Sequence, residues 1–195
     1  MTTLSSKIVQ RMLEFRTKHF LVVGKVLANA GFTAHTITII SLSLGIAAFF
    51  LFGVNHFLFA IAILLHLLTD AVDGLVARAT STSSQFGDYF DHISDGFIGF
   101  LLLLKIGWVL NDYFAYMVAG IYCINQITHF VSRRQLPAIF TRTFISVGLL
   151  FYVPGIFSFT LFVPIIIYLI TGILSAYSLV LQLQWFVKNN GVGRK

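Results

Sequence analysis

Six apolar stretches, each near the length of a bilayer-crossing helix, organise the sequence: Thr36–Gly53, Phe57–Ala79, Asp88–Trp108, Tyr113–Ser132, Leu136–Val153 and Phe159–Val187. About 20 such residues span the hydrocarbon core as a helix. In that medium every backbone N–H and C=O has to be satisfied within the segment, which leaves the α-helix as the fold for isolated apolar runs. Charged residues make up only 10% of the 195-residue chain, against about 25% in soluble domains. The expectation is an all-α integral membrane protein with six transmembrane helices. Pro137, Pro154 and Pro164 mark places where these helices start, stop or bend.

The segment before the first span alternates Lys7, Arg11, Glu14, Arg16, Lys18 and Lys25 with Ile8, Met12, Leu13, Phe15 and Phe20. It lacks the long apolar core and cleavage site of a removable signal peptide, and its pattern fits an amphipathic helix lying in the membrane interface. The expected organisation is an interfacial helix over residues 1–29, a membrane domain over 30–187 and a tail over 188–195. Cys123 is the single cysteine, so one chain can form neither a disulfide nor a cysteine zinc site.

Basic residues orient such a bundle, because Lys and Arg in short loops stay on the cytoplasmic side. With six spans, twelve of the thirteen Lys and Arg residues share one side. Lys105 is the exception, placed where it can snorkel toward the opposite surface. Both termini are therefore expected in the cytoplasm, at the plasma membrane if the source is prokaryotic. Anionic lipid headgroups account for the net charge of +6, and no nucleic-acid partner is needed.

Five of the seven acidic residues, Asp70, Asp73, Asp88, Asp91 and Asp95, fall in one 26-residue window. A carboxylate within a membrane helix costs about 2.5 to 3.5 kcal/mol on insertion scales and is kept where it lines a polar cavity or pathway. Asp70 and Asp73 are three apart, Asp91 and Asp95 four apart, so each pair shares a helix face. The connection Thr80–Phe86 is short enough to hold the two helices as antiparallel neighbours. An oxygen-only set of this kind favours hard cations such as magnesium, manganese or calcium over zinc, and magnesium is commonly shared with substrate phosphates. Gly74 and Gly87 permit close approach, and Arg78 offers a guanidinium fork for a diphosphate.

The run from Asp70 to Asp95 reads D-x2-D-G-x2-A-R-x8-G-x3-D-x3-D. It resembles, without gap or mismatch, the signature of the CDP-alcohol phosphotransferases, also called CDP-alcohol phosphatidyltransferases. Eight fixed identities would coincide by chance on the order of once in ten billion trials. The motif covers about an eighth of the chain, and the interfacial helix, six spans and cytoplasmic termini also look like that family. The resemblance implies transfer of a phosphoalcohol, such as a phosphatidyl or archaetidyl group, from a CDP-linked donor to an acceptor hydroxyl, with release of CMP during phospholipid synthesis. It also implies two divalent ions, Mg2+ or Mn2+, held by Asp70, Asp73, Asp91 and Asp95, with Asp95 also the general base. Asp70, Asp73, Gly74, Ala77, Arg78 and Gly87 would receive the CDP donor, and a homodimer is implied.

The chain departs from the family at several positions. Ala34 and His35 stand where many members carry a Pro-x-Asn-like start to the first span. Gly96 replaces the usual basic residue after the last Asp, and His92 replaces the Ser after the third. Asp88 reads as a charge at a helix start. His66 and His92 read first as hydrogen-bonded structural residues, although His66 lies one turn before Asp70. The Phe residues and Trp108 and Trp185 read as membrane packing and interface anchors, while Asn125, Gln126 and Thr128 either line the cavity or join helices.

Arg133 and Arg134 fit the positive-inside rule or an acceptor site. Arg142 would lie inside the fifth span, where its charge needs a partner, and a phosphate on the acceptor would supply one. The expected acceptor is therefore a phosphorylated polyol such as glycerol phosphate or inositol phosphate. Serine, ethanolamine, choline and free inositol are the alternatives. A cation or proton transporter would spread its carboxylates across several spans, and a metal-dependent prenyltransferase would carry two separated Asp motifs. Neither pattern is present.

Overall fold

The computed structural model describes residues 21–82, 84–131, 141–153 and 161–192. Every described element is helical: α1 over residues 21–29, α2 Ala34–Leu51, α3 His56–Ala79, α4 Gln85–Leu110, α5 Tyr113–Val131, α6 Arg142–Leu149 and α7 Phe162–Val192. Five of them, α2, α3, α4, α5 and α7, are long and apolar enough to cross a membrane. The chain is accordingly a multi-pass membrane protein. Met117, Ile173 and Leu183 are among the many large apolar side chains left exposed, as a lipid-facing surface requires.

The expected fifth span divides differently. Its residues 136–140 lie outside the described residues, as do residues 1–20 of the expected interfacial helix, and α6 contributes eight residues.

A repeated local device ends one helix and starts the next. Gly31, Gly53, Ser81 and Asn111 take positive φ values of 87°, 79°, 54° and 51°, the left-handed conformation that turns a chain out of a helix. Gly53 adopts it without steric cost. A polar residue then opens the following helix. The Thr33 hydroxyl accepts from Thr36 N–H at 3.2 Å, Asn55 Oδ1 from Leu58 N–H at 3.1 Å, Ser84 Oγ from Gly87 N–H at 3.0 Å and Asp112 Oδ1 from Phe114 N–H at 2.9 Å. Each side chain satisfies an N–H that has no partner within its helix. These caps explain why α2 and α4 begin two and three residues before the starts expected from hydropathy. Pro164 sits in the first turn of α7, where a missing N–H breaks no helical bond.

The chain divides into two compact units, one of Met1–Gly45 with Leu64–Ser94, the other of Ile46–Ile63 with Asp95–Lys195. In the first, α1 crosses α3 at Gly24. A Cβ there would come within 2.6 Å of the Leu75 carbonyl oxygen, so only glycine permits this approach. Ile37, Leu75 and Val76 are buried in this unit.

In the second unit, α4 and α5 run antiparallel with aromatic rings seated over glycines. Tyr122 meets α4 at Gly99 and Tyr116 meets it at Gly107, both inside the distance a Cβ would tolerate. Helices α5 and α7 run parallel and are fastened at both ends. Tyr168 Oη donates to Asp112 Oδ2 at 2.6 Å, while Gln182 Nε2 donates to Asn125 Oδ1 at 2.6 Å and Gln182 Oε1 accepts from the Thr128 hydroxyl. Interhelical polar bonds of this kind hold membrane helices together where apolar contact gives no advantage over lipid. Asn125 and Thr128 thus join helices. Lys105 Nζ lies 5.3 Å from the ring centres of both Phe49 and Trp108, which gives the isolated cation an aromatic environment.

Candidate active site

Helix α3 carries its polar residues in its last turns, where Asp70, Asp73, Gly74, Ala77 and Arg78 recur at helical spacing. After the turn at Ser81, α4 returns with Gly87 and Asp91 one turn apart, and Asp95 follows one turn further along the same helix. Asp88 occupies the first turn of α4, as expected of a carboxylate near a positive helix end.

Asp70 and Asp91 bring carboxylate oxygens within 4.8 Å of each other. Asp73, only 6% exposed, lies close enough to Asp91 for a carboxyl contact and close enough to Asp70 for charge repulsion. Two antiparallel helices thus converge three carboxyl groups on one place. Like charges at this separation and burial need a positive partner.

Helix α2 supports this cluster. The Thr38 hydroxyl is 2.9 Å from Asp73 Oδ2 and 3.0 Å from the Ala34 carbonyl, so its single proton has two acceptors to choose between. One turn further, Ser41 and His66 form a buried reciprocal pair: the serine hydroxyl donates to the His66 carbonyl at 3.0 Å, and His66 Nδ1 lies 2.9 Å from the Ser41 carbonyl. His66 is therefore fixed by α2 one turn before Asp70. The Gly74 backbone N–H is hydrogen-bonded to Asp73 Oδ1, and the Arg78 guanidinium folds back over Gly74, where a Cβ would stand 3.3 Å from its nearest nitrogen. Glycine at that position leaves room for the guanidinium beside the carboxylates.

In the second unit Arg142, the first residue of α6, donates a hydrogen bond to Asp95 and forms an ion pair with it, both side chains being mostly buried. Tyr122 lies near enough to sense both charges. Gln126 packs against Gly96 at ordinary contact distance, so the glycine that departs from the family pattern faces an amide. The charge that Arg142 brings into the bundle has a protein partner, Asp95.

Carboxylate oxygens converging from two helices, with a hydroxyl behind one of them, match the donor chemistry of hard divalent cations. The residues present therefore fit a hard divalent cation. When bound, such an ion would neutralise the cluster and polarise a phosphate oxygen.

Of the residues expected from the sequence, Asp70, Asp73 and Asp91 come together, Gly74 and Arg78 lie on the same helix beside them, and Ala77 and Gly87 lie on the corresponding turns of α3 and α4. Arg133 and Arg134 lie outside the described residues. Thr38 and Ser41 support the site from a neighbouring helix and stand outside the Asp motif. Their signal was available in the pattern Ala34, Thr38, Ser41, Gly45, a small and polar stripe at helical spacing, whose last three members are buried.

The profile of the CDP-alcohol phosphatidyltransferase family matches residues 32–187. An archaetidylinositol phosphate synthase from Pyrococcus horikoshii is 36% identical over 74 residues. That alignment spans 37% of this chain and 39% of the relative's length.

Proposed function

The chain belongs to the CDP-alcohol phosphatidyltransferase family, and from that premise we propose that it transfers a phosphatidyl or archaetidyl group from a CDP-linked lipid to an acceptor hydroxyl, releasing CMP. The observation that carries the proposal is the convergence of Asp70, Asp73 and Asp91 from two antiparallel helices. Asp70, Asp73 and Asp91 would hold two divalent ions, which would supply positive charge to the donor diphosphate and the departing CMP. Gly74, Ala77, Arg78 and Gly87 receive the nucleotide, with the Arg78 fork directed to phosphate oxygens. Asp95 contributes at the metal site and takes the acceptor proton as its oxygen attacks. Phosphoryl-type transfer asks mainly for positioning and charge stabilisation of this kind.

The acceptor in this reading is a phosphorylated polyol, inositol phosphate or glycerol phosphate. Two observations support it: the relative's name is that of an archaetidylinositol phosphate synthase, and Arg142 sets a guanidinium beside Asp95. An acceptor phosphate would meet Arg142 while its hydroxyl meets Asp95, and Arg133 and Arg134 belong to the same proposed site. The arrangement in the membrane follows the charge pattern: six spans with α6 part of the fifth, an interfacial helix over 1–29, a catalytic domain over 30–187 and a tail over 188–195. The site and both termini face the cytoplasm, and the protein works as a homodimer.

The test is purified protein with Mn2+, a CDP-linked lipid and separate acceptors: inositol phosphate, glycerol phosphate, free inositol and serine. CMP release is expected with the phosphorylated polyols, and Arg142→Ala should raise their KM. Turnover with serine or free inositol alone, or an unchanged KM in the variant, removes the acceptor assignment.

A further inference from the structure

We infer that Lys105 holds the phosphate of a phospholipid in the leaflet where α4 ends. The 26 residues of α4 make a helix about 39 Å long, more than the hydrocarbon core of about 30 Å. Its last turns therefore reach a membrane surface. Lys105 lies about 8 Å along the axis before Leu110, the last residue of α4. From that depth a lysine stem brings its ammonium to headgroup level.

Among the described residues the ammonium has no carboxylate in an ion pair. Asp95 lies about 15 Å back along the same helix and pairs with Arg142. Asp112, just past the end of α4, accepts hydrogen bonds from Tyr168 Oη and the Phe114 N–H. What surrounds Lys105 instead is aromatic: Phe49 from α2 and Trp108 from its own helix each set a ring centre 5.3 Å from Nζ. Ring faces attract a cation and fix its place. They do not neutralise it, so the charge remains for an anion.

The neighbouring side chains favour an anion that belongs to a lipid. Trp108 is exposed, and so is Phe50, whose ring meets Phe49 edge to face at 5.1 Å. In a membrane helix such exposed apolar groups face hydrocarbon, and a tryptophan near a helix end marks the interface. A ligand that reaches Nζ beside them has to be amphipathic, with its charge at the ammonium and its chains along the apolar surface. A phosphodiester headgroup meets both conditions. Inorganic phosphate would give up hydration there and gain no apolar contact.

Trp108 can report on this site alone, because Trp185 is the other tryptophan of the chain and can be replaced by Phe. The experiment reconstitutes the full-length Trp185→Phe chain in diglucosyl diacylglycerol vesicles, which contain no phosphate. A minor fraction of brominated phosphatidylglycerol, or of brominated diglucosyl diacylglycerol, then quenches Trp108 fluorescence. Brominated phosphatidylglycerol should bind about fivefold more tightly than its phosphate-free counterpart, the scale of one basic residue at a lipid surface. Lys105→Met should equalise the two lipids, Lys105→Gln should do the same, and Lys105→Arg should restore the preference. Excess inorganic phosphate should leave it unchanged. Equal quenching by both lipids with Lys105 present overturns the inference, as does a preference that survives in either uncharged variant. A preference abolished by inorganic phosphate would also overturn it, since the site would then take the free anion.

Discussion

The two compact units treat their carboxylates in different ways. In the first, Asp70, Asp73 and Asp91 converge with like charge, and Thr38 supplies a hydroxyl to one of them. In the second, polar groups meet their complements: Arg142 with Asp95, Gln182 with Asn125 and Thr128, Tyr168 with Asp112. A membrane interior penalises both unpaired polarity and unpaired charge. The Gln182 and Tyr168 bonds of the second unit meet that constraint from helix to helix, and Arg142 answers the charge of Asp95. The first gathers three carboxyls of like sign at one place, the kind of donor set that hard divalent cations take.

The largest effect should come from removing one of the like charges. Asp91→Asn is expected to lower turnover more than about a hundredfold, beyond the cost of losing an outer partner of a metal ligand. Thermal stability measured without metal should stay level or rise, because repulsion is relieved. A marked loss of metal-free stability would show that the carboxylates are structural and break the contrast between the units.

Thr38→Val tests the support behind the cluster. Loss of its bond to Asp73 should weaken Mn2+ binding by about ten- to a hundredfold, with little change in folding. Unaltered Mn2+ affinity would reduce Thr38 to a packing residue.

Gln182→Leu should do the reverse. It removes an interhelical clasp of the second unit and should destabilise the protein by about 0.6 to 1.7 kcal/mol, read in reversible unfolding, while Mn2+ affinity stays at the wild-type value.

The smallest effect concerns Asp112. The Tyr168 hydroxyl bond, and then the Phe114 N–H, hold its carboxyl below the ordinary range. With the folded value depressed, the stabilisation is present above the unfolded value of about 3.9 and fades as pH falls through the folded value. Wild type and Asp112→Asn should therefore differ in thermal midpoint at neutral pH and converge toward pH 3. A difference that persists unchanged at low pH would contradict this.

Much of the fold could be read from the chain because lipid makes the rule simple. Apolar length gave five of the described spans to within a few residues, and the caps at Thr33 and Ser84 account for the earlier starts of α2 and α4. The Asp motif was legible for a related reason, since several carboxylates in a membrane helix have few uses. Pairings between distant helices were not. Arg142 pairs with Asp95, 47 positions away in sequence, a contact that no local pattern announces. Thr38 and Ser41 look like ordinary helix residues until α3 is set against them.

On the proposed function, the first unit's carboxylates act through a divalent ion on a CDP-linked donor. Its most direct test is CMP release from a labelled CDP-linked lipid by the purified chain, with a phosphorylated polyol present, before and after chelation and readdition of Mn2+. The account predicts release that stops on chelation, returns with Mn2+ and is absent at every Mn2+ concentration in Asp70→Asn. Release that persists through chelation, or an Asp70→Asn variant with the wild-type metal response, would contradict it.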